Sequence, residues 1–259
     1  MNYGISISTS GLMTALYRTD ALANNLANLN TTGFKPDMVF TRQRDVVRQE
    51  DGVHSLPSNR LLEKLGAGLQ MAPNRVNFTQ GSLEATGNPL DIAIKGDGFI
   101  VVRAAADAAT EKVMLTRDGR MSLDSNRRLV NATTGLPVLD ELNLPITLRH
   151  DIPAQIADDG TIRQDGQLVA RLQLIDVNDR TQLQKTGNAM FVPSASAYAA
   201  RLPADGRILQ GQLEAAAVNP ITAMMRTTRA AGSVSSQVRI IGMQDQLMDR
   251  AINTFGRTA

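Results

Sequence analysis

The chain has 259 residues, 27 Lys and Arg against 25 Asp and Glu, no cysteine and no tryptophan. That length supports one or two domains with a core large enough to fold without staples. The cysteine count excludes disulfide scaffolds, thiolate zinc sites and a cysteine nucleophile. A net charge of +2 and 3% aromatic residues exclude a nucleic-acid polycation and a stacking platform for single strands, so no nucleic-acid partner is expected.

The first residues carry no basic region followed by an apolar run, and no stretch approaches 18 consecutive apolar residues. The expectation is a chain that does not insert in a membrane and is either cytoplasmic or exported without a cleaved signal peptide. From residue 1 to 34 the only charged side chains are Arg18 and Asp20. Leu12, Ala15, Thr19, Leu22, Leu26 and Leu29 fall at alternating spacings of three and four, which predicts a helix with a coiled-coil seam, stopped by Gly33. Its outer face is Ser, Thr, Asn and Ala, so its other sides also meet protein.

Residues 35–84 mix Pro57, Pro73 and a Gly66-Ala67-Gly68 tract and are predicted as an extended connector. From 85 to 205, short β-branched or alternating runs at 91–94, 99–103, 113–116, 129–131 and 168–177 are separated by Asp-Gly pairs beginning at Asp97, Asp118, Asp159, Asp165 and Asp205. Asp-Gly suits tight hairpins, because glycine tolerates positive φ and the Asp side chain bonds its own turn. The predicted fold is therefore mainly β, α+β overall, with a central antiparallel β domain between terminal helices that form a coiled-coil-like layer.

Two similar stretches bracket the β region: QGSLEATGNP at 80–89 and QGQLEAAAVNP at 210–220. They are predicted to be paired inbound and outbound strands, with 206–217 returning the chain to a final helix over 218–259. Asn219 is a good N-cap and Pro220 sits where a missing N–H costs nothing, so that helix starts there and runs toward Gly256. Met224, Ala231, Val234, Val238, Ile241 and Met248 make one seam along it, with Ile221, Met225, Ile240, Met243 and Leu247 a second stripe. Gly232 and Gly242 each weaken an isolated helix by about 1 kcal/mol. Both ends are expected to order fully only when packed.

Candidate chemistry is sparse. His54 and His150 have no second ligand at metal spacing. Asp176-Val-Asn178-Asp179-Arg180 puts Arg where a calcium loop needs an oxygen ligand, and the stretch from Asp124 to Arg128 fails in the same way. Gly96-Asp97-Gly98 is followed by strand residues, not a helix, against dinucleotide binding. No GxSxG elbow frames a serine. Asp158 and Asp159 are adjacent in sequence and not set across a cleft, as a glycosidase pair requires. Arg42, Arg44 and Arg48 are diluted by acidic neighbours and read as a solvated face. No enzyme activity, cofactor or metal is expected.

Several segments carry a specific resemblance. ANNLANLNTTGFK at 23–35, QGSLEATGNPLDIAIKGDGF at 80–99, LTRDG at 115–119 with Leu129-Val130-Asn131, DGTI at 159–162, Gln210-Gly211 with Leu213-Glu214 before Val218-Asn219, and DQLM at 245–248 together resemble the flagellar basal-body rod and hook family. The start MNYGISISTSG and GLPVLDELNLPI at 135–146 resemble the proximal-rod branch more than the distal one. Two departures stand out: Ala216-Ala217 replaces a usual Ser-Asn, and Arg229-Ala230-Ala231-Gly232 replaces a usual Arg-Ala-Tyr-Glu.

The resemblance implies a structural axial subunit that polymerises through its terminal helices to transmit torque from motor to hook. The partners it implies are copies of itself, other rod and hook proteins, the flagellar type III export apparatus and surrounding ring proteins, in a periplasm-spanning rod. The interface positions expected are Leu12, Leu22, Leu26, Met224, Val234, Val238, Ile241 and Met248, with Asn24, Asn25 and Asn28 bonding between subunits. The alternative reading is a scaffold module whose β domain docks a ring or cap protein, or a distal-rod or hook-type subunit.

Overall fold

A computed structural model of the chain describes residues 3–50, 52, 65–104 and 113–255. His54 and the predicted stop at Gly256 lie outside them. The chain is α+β and divides into two units.

The helical unit comprises Met1–Ala27, Asp37–Arg75 and Asn219–Ala259. Its N-terminal helix spans Tyr3–Ala27 and its C-terminal helix Pro220–Phe255. They run antiparallel: Ser8 Oγ donates to Gln244 Oε1 (3.3 Å), and a Cβ at Gly11 would lie 3.3 Å from the Gln237 side chain. The C-terminal helix starts at Pro220, with Asn219 Oδ1 accepting from the Thr222 N–H at 3.1 Å. That is the capping bond that satisfies an orphan donor of the first turn. Beside the helices, Thr41–Gln43 pairs antiparallel with Leu69–Met71, and Ser10 Oγ accepts from the Leu69 N–H.

The β unit comprises Asn28–Pro36 and Val76–Val218. Its largest sheet has six antiparallel strands in the order Leu183–Gly187, Met190–Pro193, Val113–Thr116, Phe99–Arg103, Leu174–Asp176, Leu202–Pro203. The strand Phe99–Arg103 is buried on both faces. Ile100 and Val102 enter one core with Ile92, Leu129, Ile146 and Ile162, while Phe99 and Val101 enter another with Leu115, Leu139 and Phe191. The period-two alternation of a strand produces this division directly. In the second core the rings of Phe78, Phe99 and Phe191 lie 5.3–5.8 Å apart, so three of the chain's six phenylalanines anchor one spot. The bracketing repeats are neighbours: Leu83–Ala85 pairs antiparallel with Gln212–Glu214.

Three expectations need revision. The N-terminal helix ends at Ala27, six residues before Gly33. Asn28 and Thr31 bond each other, through the Thr31 N–H to the Asn28 carbonyl and Thr31 Oγ1 to Asn28 Oδ1, an alternative that short polar side chains offer the backbone in place of helix. Residues 168–177 are two strands, Gln167–Arg171 and Leu174–Asp176, in different sheets. The break comes where the Leu172 N–H turns to the Gly160 carbonyl and the Gln173 N–H to that of Leu139. Of the five Asp-Gly pairs in the β unit only Asp165-Gly166 makes a two-residue hairpin, with both φ values positive, at 53° and 73°, the type I′ geometry; the strands flanking those at Asp97, Asp118 and Asp205 pair elsewhere. At Gly119 the reason for glycine is contact: a Cβ there would sit 1.6 Å from the Ile92 carbonyl oxygen.

Candidate assembly surface

The C-terminal helix has a narrow inner seam. Residues 223, 227, 230, 234, 237, 241 and 244 recur at alternating four and three and are its buried or half-buried positions, with Ile240 beside them. They are Ala223, Thr227, Ala230, Val234, Gln237, Ile241 and Gln244, a sequence of small and polar side chains with only two large aliphatics. On the N-terminal helix the fully buried positions include Ser8, Thr14 and Ala15, with Ile7, Leu12, Leu22 and Leu26 half-buried. Hydroxyls on both helices are satisfied locally: Thr14 Oγ1 bonds the Ser10 carbonyl, Thr19 Oγ1 that of Ala15 and Thr227 Oγ1 that of Ala223. The pair therefore comes close at modest hydrophobic gain, since burial contributes about 25 cal/mol per Å² of apolar area.

The large apolar residues lie elsewhere on the same helix. Ile221, Met224, Met225, Val238, Met243, Leu247, Met248 and Ile252 are exposed, Ile221 to 71% and Leu247 to 63%. Met13 and Leu16 of the N-terminal helix are exposed too. A self-sufficient monomer rarely displays apolar side chains in such density.

Among the expected interface positions, Val234 and Ile241 fall on the inner seam, whereas Met224 and Val238 fall on the line beside it and Met248 is exposed. The seam expected from sequence joined two neighbouring lines, because it followed the large side chains and the inner contact is made by small ones. Leu12, Leu22 and Leu26 are half-buried. Asn24 is exposed, and Asn28 is half-buried in the turn after the helix. Asn25 is buried with both polar atoms committed within the chain: Nδ2 donates to the Asp37 carbonyl (2.8 Å) and Oδ1 accepts from the Asp37 N–H (2.9 Å).

In the β unit, the inbound segment Asn28–Pro36 and the outbound strand meet at a buried cluster that sequence reasoning missed. Lys35 Nζ donates to Glu214 Oε1 at 2.5 Å and to the Thr79 carbonyl at 2.8 Å. Arg117 Nη1 lies 3.4 Å from Glu214 Oε2, its Nη2 donates to the Gly96 carbonyl, and its guanidinium lies over the Phe99 ring at 5.3 Å. Glu214 Oε1 also accepts the Gly81 N–H at 2.9 Å. Lys35 and Glu214 have no exposed surface and Arg117 has 3%. Burial pushes the Lys35 ammonium below the usual lysine range, with Glu214 pulling it back up and Arg117 and Arg180 pushing it down; burial likewise lowers Arg117. Gly33 is required here, since φ is +65° and a Cβ would lie 2.4 Å from the Arg117 backbone carbon.

This cluster gives the recurrent motifs a physical meaning. GFK supplies Gly33 and Lys35, LTRDG supplies Arg117, QGSLE supplies Gly81 and QGQLE supplies Glu214. Segments far apart in sequence converge on one carboxylate. Nothing local in the sequence links positions 35 and 214.

Other groups are occupied with structure. Asp124 Oδ1 accepts the Asn126 and Arg128 N–H groups, Asp159 holds the Thr161 turn, and Asp179 accepts from the N–H and hydroxyl of Thr181. His150 is exposed. Among the described residues no group of His, Asp and Glu is placed to hold a metal ion, and no helix is long and apolar enough to cross a membrane.

Comparison with known proteins matches residues 5–35 to the Flagella basal body rod protein family and residues 93–170 to the Flagellar hook protein FlgE/F/G D1 domain. The chain is similar to the flagellar basal-body rod protein FlgF of Caulobacter vibrioides, 30% identical with 99% of each chain covered, and to FlgF of Mesorhizobium japonicum, 29% identical with 99% of each covered. FlgG of Buchnera aphidicola subsp. Acyrthosiphon pisum is 27% identical, covering 94% of this chain and 96% of its own.

Proposed function

Because the chain belongs to the flagellar basal-body rod family, we propose that its terminal helices are the polymerising element and that torque passes through them from one subunit to the next. It is a structural, non-enzymatic subunit, and its family assembles with other rod and hook subunits. The observation that carries the proposal is the inversion on the C-terminal helix, where small side chains face the N-terminal helix while Ile221, Met225, Val238, Leu247 and Ile252 stand exposed. Covering those side chains with neighbouring subunits supplies the burial that the lean inner seam does not.

The interface positions then divide by role. Met224, Val238 and Met248 reach neighbours; Leu12, Leu22, Leu26, Val234 and Ile241 set the geometry of the pair that presents them. Asn24 and Asn28 flank Asn25, which holds the Asp37 backbone in place. A proximal position in the rod is supported by the start MNYGISISTSG and the stretch 135–146, which resemble the proximal-rod branch. Delivery by the flagellar type III apparatus, without a cleaved signal peptide, completes the reading.

The test is incorporation into basal bodies in a motile cell. Val238→Asp, at an exposed site, and Leu26→Asp, in the helix pair, are both expected to block incorporation and swimming while the β unit of the purified variants still folds. Normal incorporation of Val238→Asp would contradict the proposal.

A further inference from the structure

The Lys35 site is unusual in its balance. Two cations, Lys35 and Arg117, share one carboxylate, and all three are buried. Arg117 is held independently of Lys35, by the Gly96 carbonyl and the Phe99 ring, and Glu214 has partners of its own in Arg117 and the Gly81 N–H. Withdrawal of Lys35 would therefore leave no orphaned carboxylate, and the amine would regain its hydration. The segment that carries it is attached by bonds of the same kind on each side: Gly33 N–H to the Glu214 carbonyl (2.7 Å), Ala217 N–H to the Phe34 carbonyl (3.2 Å), Arg120 Nη2 to Thr32 Oγ1 (2.6 Å) and Lys185 Nζ to the Lys35 carbonyl (2.8 Å). None of these bonds involves the strand Phe99–Arg103 or the cores on its two faces.

We propose that Asn28–Pro36 is a removable seat on the β unit, opening and closing as one piece while the β core stays folded, and that the Lys35–Glu214 bond is the latch that holds it shut. The inference is independent of the rod reading. The seat begins one residue after the N-terminal helix ends and is bonded to the strand that leads to the C-terminal helix. Its state decides whether the segment after the N-terminal helix and the strand before the C-terminal helix are bonded to each other. Burial lowers the affinity of Lys35 for its proton and Glu214 opposes that, so closing the latch carries a desolvation cost that the ion pair offsets in part. Local openings of this sort are cooperative units with their own free energy, below that of global unfolding.

Hydrogen exchange read by mass spectrometry on the full chain tests this. In the wild type the amides of Gly33 and Ala217, whose bonds cross between the segment and the outbound strand, are expected to share one opening rate, faster than those of 99–103 and with weaker denaturant dependence. Gly33→Ala, which cannot seat against Arg117, should speed exchange at Ala217 tenfold or more with 99–103 unchanged. Glu214→Gln should do the same by removing the charge that offsets the buried ammonium, and adding Lys35→Met should restore protection because that ammonium is gone. The proposal is overturned if wild-type seat amides open with the same denaturant dependence as the core, or if Gly33→Ala strips protection from 99–103 by the same factor. It also fails if the double variant is no better protected than Glu214→Gln. Should Glu214→Gln fail to fold, the wild-type and Gly33→Ala measurements decide alone.

Discussion

In the β unit Ile92, Ile100, Leu115, Phe99 and Phe191 have no exposed surface, while in the helical unit Ile221, Met225, Leu247 and Ile252 stand in solvent. The first unit builds two closed cores, down to a strand buried on both faces and a satisfied carboxylate between two cations, and its exposed large side chains, Leu142, Leu144, Leu168 and Leu202, lie outside those cores. The second sets alanine, threonine and glutamine beside Val234 and Ile241 on the inner seam of its long helix and leaves most of that helix's large side chains outside. That difference is what supports the proposal that assembly runs through the helices.

Substitutions should separate the two halves by size of effect. Phe99→Ala removes a ring packed against Phe78 and Phe191, and is expected to cost about 3–5 kcal/mol in denaturant unfolding of the β unit. Ala230→Leu overfills the inner helix seam and should destabilise the helix pair by about 1–3 kcal/mol, seen as loss of helical ellipticity on mild heating with the β unit intact. Asn219→Ala deletes the cap at Thr222 and should cost about 1 kcal/mol of helix stability. Met225→Ser, on the outer stripe, should stay within about 0.5 kcal/mol of wild type in the free chain, yet weaken assembly in a sedimentation assay. That pairing of no stability effect with an assembly effect is the sharpest form of the comparison.

The smallest effect concerns acid. Asp124, Asp159 and Asp179 are held below the ordinary 3.8: Asp124 first by the Arg128 N–H, Asp159 first by the Thr161 N–H and Asp179 first by the Thr181 hydroxyl. A carboxylate with a lowered folded value contributes stability that is complete above its unfolded value and lost as pH falls through the folded one. The thermal midpoint of the β unit should therefore fall gently below about pH 4, and Asp124→Asn should flatten that slope. A rise in the midpoint on acidification would contradict these assignments.

Much of the β unit was legible because strands advertise themselves: 99–103, 113–116 and 129–131 are strands as read from their β-branched runs. The start of the last helix was legible in Asn219-Pro220, whose chemistry is local. The break at Leu172 was not, since it arises from a change of partner strand. The inner seam was missed for a related reason. Periodicity weights large apolar residues, and this helix places them outside, so Val234 and Ile241 were placed on the seam and Ala223, Ala230 and Gln237 were not. The Lys35–Arg117–Glu214 cluster spans 179 residues in sequence between its bonded ends, beyond the reach of any local pattern, although every member lies in a motif that marked the family.

The central claim is that the terminal helices complete their packing only among neighbouring subunits. The most direct measurement compares amide exchange across Pro220–Phe255 in the purified, dilute chain and in the assembled rod. The account expects fast exchange along the helix in the free chain, slow exchange at Phe99–Arg103 in both states, and a gain of protection confined largely to the helices on assembly. Helix amides already as protected as the β core in the dilute chain, with nothing gained on assembly, would contradict it.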